Sequence, residues 1–232
     1  PAIVSCQNLG DCVRSLEPNL ALVVQLRNSA FADALRMVMA WARALQGRTD
    51  STKAPLSLSL SLSHTEGEGF DEAAYAQTYR DNPFFSMFHA IARLHIGYLL
   101  DDQPQALAAV MAVRRSAHQL TGMMWSVLFD VWGSLTLAAN IERAADAEQR
   151  DDWLTQMRES LASLAVLARS CEVNFRCHWL LLDAELERIG GRQDAALDRY
   201  EQAIAQADEA GDVQQQALAN ELFAAFWLGR GN

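Results

Sequence analysis

Between Asn174 and Ala210 the chain reads NFRCHWLLLDAELERIGGRQDAALDRYEQAIAQADEA, two amphipathic segments either side of Gly190-Gly191. Glycine takes the left-handed backbone conformation at no steric cost, so the pair ends the first helix and lets the chain double back. Leu180, Ala184, Ala196, Tyr200 and Ala203 then fall on the faces that meet. Alanine at such positions allows two helix backbones to approach closely, because no bulky side chain separates them. This stretch predicts an antiparallel helix hairpin of repeat type.

The same unit recurs upstream. A shift of 90 places Gly191 on Asp101, Ala196 on Ala106 and Leu197 on Leu107. A helix is expected from Phe84 to Leu100, ending at Asp101-Asp102-Gln103-Pro104, with Pro104 opening the next, to about Leu120. After Thr121-Gly122, a helix from Met123 to about Ala145 precedes a partner opened by Asp151-Asp152 and running to Ser170. Val213 to Trp227 supplies one more helix, and Gly229 to Asn232 repeats the glycine-containing turn. An array of this kind closes with a polar cap, which is not seen here, and Pro1 stands where an initiator methionine would. The expectation is a segment of a longer protein.

Ahead of these hairpins, helices are expected over 2–16 and 18–28, separated at Glu17-Pro18, and over 30–45 with Phe31, Leu35, Val38, Met39, Ala42 and Leu45 on one stripe. Residues 70–80 begin with acids suited to a helix N-terminus, and Asp81-Asn82-Pro83 stops and restarts the chain. Between them, Leu56 to Ser63 alternates leucine and serine with period two. Leucine and serine are mediocre strand formers, so the segment reads as an extended connector, or as a strand that pairs with its copy in a second chain. The domain organisation expected is helices over 1–48, a connector over 49–69 and helical repeats over 70–232. The fold class is all-α, an α-solenoid of antiparallel helix hairpins.

Charge and motifs restrict the chemistry. Twenty-nine acids against 19 bases leave a net charge of −10, which repels nucleic-acid backbones and anionic membranes alike. No apolar run approaches the ~18 residues of a membrane span, and the first residues lack a basic segment followed by an apolar one. Cytoplasmic placement and reduced thiols at Cys6, Cys12, Cys171 and Cys177 follow as expectations. Cys171, Cys177 and His178 match no zinc spacing, Asp146 to Asp152 lacks the pattern of a calcium loop, and no Gly-Lys-Ser/Thr follows the glycines at 67 and 69. No metal, cofactor or catalytic residue is expected, and His64, His89, His95, His118 and His178 are scattered.

Several stretches carry a family likeness. The Leu180, Ala184, Ala196, Tyr200 and Ala203 spacing resembles the tetratricopeptide unit of about 34 residues, although Leu180, Asp183, Glu187 and Asp208 stand where its pattern has Trp, Leu, Tyr and Pro. Phe70-Asp-Glu-Ala-Ala-Tyr75, Leu99-Leu-Asp-Asp-Gln-Pro-Gln-Ala-Leu107, Asn174-Phe175 with His178, and Gln216-Ala-Leu-Ala-Asn-Glu-Leu222 together resemble one bacterial architecture. It is the helical-repeat region of large sensor proteins that combine a serine/threonine-kinase-like domain, an AAA-type ATPase, GAF and histidine-kinase domains. The resemblance spans roughly 70–232 and implies a regulatory segment lying between the ATPase and the sensor and kinase parts.

The expected function is a non-catalytic regulatory and protein-interaction module. Solenoids present the first helix of each pair along a concave face. In the registers above, that face comprises Phe88, Ile91, His95, Asp130, Ser134, His178, Leu181, Glu185 and Glu221, mixed aromatic and acidic, and suits a basic, partly apolar peptide or helix. Two alternatives stand beside it. One is a small-molecule sensor with a ligand near Trp125, Phe129 and Trp132; the other is a homodimer scaffold built on the leucine-serine segment or the C-terminal hairpin.

Overall fold

In a computed structural model, residues 8–47, 70–115 and 123–230 are described; the leucine-serine segment lies outside them. Among the described residues the chain is all-α, with ten helices: α1 (Leu9–Gln25), α2 (Ser29–Leu45), α3 (Glu72–Tyr79), α4 (Pro83–Leu99), α5 (Gln103–Arg114), α6 (Met124–Asn140), α7 (Ala147–Ser170), α8 (Glu172–Ile189), α9 (Gln193–Ala210) and α10 (Val213–Gly229). They group into two compact units, Pro1–Thr121 and Gly122–Asn232. The division falls inside the 70–232 stretch expected to form the repeats.

Short polar side chains set most helix starts. Asn8, Asn28, Asp71, Asn82, Asp102, Asp146 and Asp212 each sit at an N-cap and accept a bond from a first-turn backbone N–H, as Asp146 does from Gln149 at 2.8 Å. Such a cap satisfies a donor that the helix leaves orphaned, for roughly 1 kcal/mol. Asp146 is why α7 begins ahead of Asp151-Asp152. Pro83 and Pro104 occupy first-turn positions, where the missing N–H costs nothing.

Three expectations are corrected. Pro18 does not divide the chain into separate helices; α1 runs through it. The expected stripe on α2 is only part of its buried face: Met39 and Ala42 are buried and Leu35, Val38 and Leu45 half-buried, but Phe31 is exposed and Met37, Ala40, Trp41 and Ala44 are buried as well. The helix opened by Pro104 ends at Arg114, and α6 stops at Asn140, followed by a 3-10 turn over Ile141–Arg143.

Helix ends repeat one geometry. Asp101 (φ 58°) and Gly191 (φ 76°) are both left-handed. The N–H of Asp102 bonds Gly97 O at 2.8 Å, and the N–H of Arg192 bonds Glu187 O at 3.0 Å. These are the same atoms shifted by 90, the register read from the sequence. Arg27 and Gly211 close the ends of α1 and α9 in the same left-handed conformation.

Within unit 1, α1 packs on α2, α2 on α4, and α4 on both α3 and α5. Trp41 of α2 is buried against Phe88 and His95 of α4, at ring distances of 6.3 and 5.6 Å. Within unit 2, consecutive helices from α6 to α10 pack in order, and α6 touches α8 as α8 touches α10. That alternation, first helix to second and first helix to the next first helix, is the packing logic of an α-solenoid. Leu180, Ala184, Ala196, Tyr200 and Ala203 are all completely buried in it.

Candidate interaction site

Positions 88, 91 and 95 of α4 correspond to 178, 181 and 185 of α8 in the shifted register, and all six belong to the expected concave face. Phe88, Ile91, His95, Leu181 and Glu185 are buried, as is Ser134 on α6. Their side chains fill the seams between helices and offer no surface to a partner. Asp130 and His178 are half-buried, and Glu221 of α10 is exposed.

Of the charged members, Glu185 belongs to one of two buried polar clusters. Glu185 accepts hydrogen bonds from Tyr200 Oη and from Arg188, whose Nη2 lies 2.6 Å away. The same Nη2 reaches the Ala138 carbonyl of α6 at 3.5 Å. One carboxylate therefore ties α6, α8 and α9, and burial beside it pushes the Tyr200 hydroxyl pKa up. In unit 1, Glu72 of α3 bonds His89 at 2.9 Å and pairs with Arg93, which also donates to Gln105 of α5. Buried charges of this kind stay charged only when paired and hydrogen-bonded.

The remaining ionisable members respond to burial. His95 has its pKa pushed down to about 3 by burial. Burial raises the Asp130 carboxyl, opposed by the hydroxyls of Ser160, at 2.9 Å across α6 and α7, and Ser163. Burial lowers His178, which faces the Asn174 carbonyl at 3.2 Å, while the nearby Asp212 charge works the other way. Cys177 is raised to about 12, foremost by burial, so its thiol stays protonated.

Trp125, Phe129 and Trp132 share α6. Phe129 and Trp132 are buried and Trp125 is half-buried; the Phe129 ring lies back along the helix, 3.2 Å from where a side chain at Gly133 would begin. Among the described residues no three His, Cys, Asp or Glu side chains converge as metal ligands, and Cys12, Cys171 and Cys177 are free thiols. No helix among them is long and apolar enough to cross a membrane.

A feature absent from the sequence reading is a cleft of about 370 Å³ between α7 and α8. Arg150, Leu154, Arg158 and Leu161 of α7 line one wall. Asp183, Leu186 and Glu187 of α8 line the other, with Arg192 at the turn beyond. The spacing of the α7 residues at intervals of three and four was a readable signal, since it places them on one helical face.

No protein-family model, curated protein or solved structure matches the chain.

Proposed function

We propose that this chain is a non-catalytic, helical-repeat module that binds protein segments and regulates neighbouring domains of a bacterial signal-transduction protein. The observation that supports it is the stacking of α6, α8 and α10 with α7 and α9 alternating between them. Stacked hairpins hold side chains from successive repeats on a common surface, which suits recognition of an extended or helical segment better than chemistry at a point. The resemblance to sensor proteins that join kinase-like, ATPase, GAF and histidine-kinase parts supplies the setting. In it the module couples the ATPase or kinase to the sensor output.

Native mass spectrometry of the purified chain across a concentration range tests this reading. A bare monomer that forms a defined complex when a kinase-like or ATPase domain from such a sensor is added is the expected result. A retained small molecule would replace the reading with a sensor, and a dimer that survives dilution would replace it with a homodimer scaffold.

A further inference from the structure

We propose that the cleft between α7 and α8 is a docking site for an acidic, leucine-bearing peptide segment of a partner protein. The inference rests on reading the chain as a protein-binding module, and it names a surface and a partner chemistry that the concave-face reading does not. Charge complementarity over an apolar floor selects such a segment.

The carboxylates in the lining are already neutralised. Asp183 pairs with Arg199 at 2.7 Å, and Glu187 pairs with Arg192. The arginines of the opposite wall are not matched in the same way. Among the described residues, Arg158 is exposed and has no carboxylate within ion-pairing distance, and Arg150 has only Glu142, at 3.9 Å. The uncompensated charge of the cleft is therefore positive, on a chain whose net charge is −10. Guanidinium groups present planar, paired donors that match a carboxylate in bidentate fashion. Arg150 and Arg158 lie eight residues apart on one helix, roughly 12 Å along the axis, with Leu154 between them. Two acids of a bound segment can each reach an arginine while an apolar side chain between them rests on Leu154, Leu161 and Leu186. A volume of about 370 Å³ sits at the small end of the range for ligand pockets, enough for a few side chains and too small for a folded domain.

The test uses a short fluorescein-labelled peptide of glutamate, aspartate and leucine, and a counterpart with lysine in place of every acid. Anisotropy is measured on the whole chain at low and high salt. Expected are saturable binding of the acidic peptide alone, weakening with salt, and an affinity loss of about tenfold or more on replacing both arginines, Arg150→Glu with Arg158→Glu. Both side chains project from the surface of α7, so circular dichroism should be unchanged; the milder Arg158→Gln, expected to weaken binding by a few-fold, serves if the double variant misfolds. No saturable binding at low salt, equal binding of the lysine peptide, or an affinity indifferent to the arginines would overturn the proposal. Competition by inorganic phosphate at the peptide's own affinity would overturn it too, by showing a small-anion site. If the cleft fails while an added sensor domain still forms a complex in the native mass measurement, the interaction-module reading survives without it. Failure of both removes both.

Discussion

The α4–α5 and α8–α9 hairpins share a backbone and differ in what they bury. Positions 106, 110 and 113 of one are completely buried, and so are 196, 200 and 203 of the other. Yet the polar residue held at the equivalent site on the first helix is His95 in unit 1 and Glu185 in unit 2. Glu185 is held by Arg188 and Tyr200, whereas His95, kept neutral by burial, packs edge-on with Trp41. The position thus holds a buried polar side chain in both hairpins, in two different surroundings. One hairpin is sensitive to loss of a partner, the other to gain of a proton.

The largest effect should come from removing the charged partner. Glu185→Ala removes the carboxylate shared by the Tyr200 hydroxyl and Arg188, which is a third exposed and keeps the Ala138 carbonyl, and is expected to cost unit 2 roughly 2–3 kcal/mol. Glu185→Gln should recover some of this through its remaining acceptor oxygen. Urea denaturation read by hydrogen exchange of α8 and α9 measures it; a loss below about 1 kcal/mol would mean the cluster is dispensable. The same readout on α4 and α5 should show no change.

Next comes the close approach at the turn. Gly97 lies where an added Cβ would meet the Ala106 backbone nitrogen at 3.0 Å, while the equivalent Glu187 carries a side chain and pairs with Arg192. Gly97→Val should therefore destabilise unit 1 by about 2 kcal/mol, since overpacking forces a backbone shift. Glu187→Val should cost under about 1 kcal/mol, the worth of an ion pair with an exposed partner. Equal costs in the two hairpins would show that they do not differ in closeness at this site.

The proton-sensitive side follows from His95. Its folded pKa of about 3 lies below the ordinary value near 6.5, so on acidification the unfolded chain takes up a proton that the folded one refuses. Stability from this group is complete above pH ~6.5 and falls by up to about 1.4 kcal/mol per pH unit below it, until pH nears 3. Between pH 7 and 5 unit 1 should lose about 2 kcal/mol, and His95→Gln should remove that contribution to the slope. An unchanged slope in the variant would assign the acid sensitivity elsewhere.

What was legible in the sequence divides along the same line. Hairpin register was readable because Gly190-Gly191 and Asp101-Asp102-Gln103-Pro104 are strong local signals, and local signals decide where helices end. The face of α4 and α8 was not. Periodicity shows which side of a helix is apolar, but a helix stacked on a second helix and on the next first helix is buried over more than one stripe. Hence Ile91, Leu181 and Glu185, assigned to an open concave face, lie inside. Pro18 misled for a related reason: a proline signals a break, but tertiary packing of Cys12, Val13 and Leu20 holds α1 as one helix across it. Glu185 and Arg188 at i and i+3 were visible, but Tyr200 joining them depended on how the hairpin closes.

The smallest expected effect is the most specific check that the two hairpins are copies of one unit. A left-handed residue closes both first helices, yet one site holds Asp101 and the other Gly191. A side chain in that conformation costs roughly 1 kcal/mol, less for aspartate, which tolerates it better than most residues do. Asp101→Gly should thus stabilise unit 1 by about 0.5 kcal/mol, and Gly191→Asp should destabilise unit 2 by a similar amount. The space beside Gly191 is open, so a steric clash does not confuse the comparison; Asp101→Gly also loses the exposed hydrogen bond from Gln103 Nε2 at 3.0 Å, which offsets part of the gain. Opposite shifts of similar size in urea midpoints would establish the turns as equivalent. If Gly191→Asp were neutral while Asp101→Gly stabilised, the hairpins would share a register but not an equally strained turn.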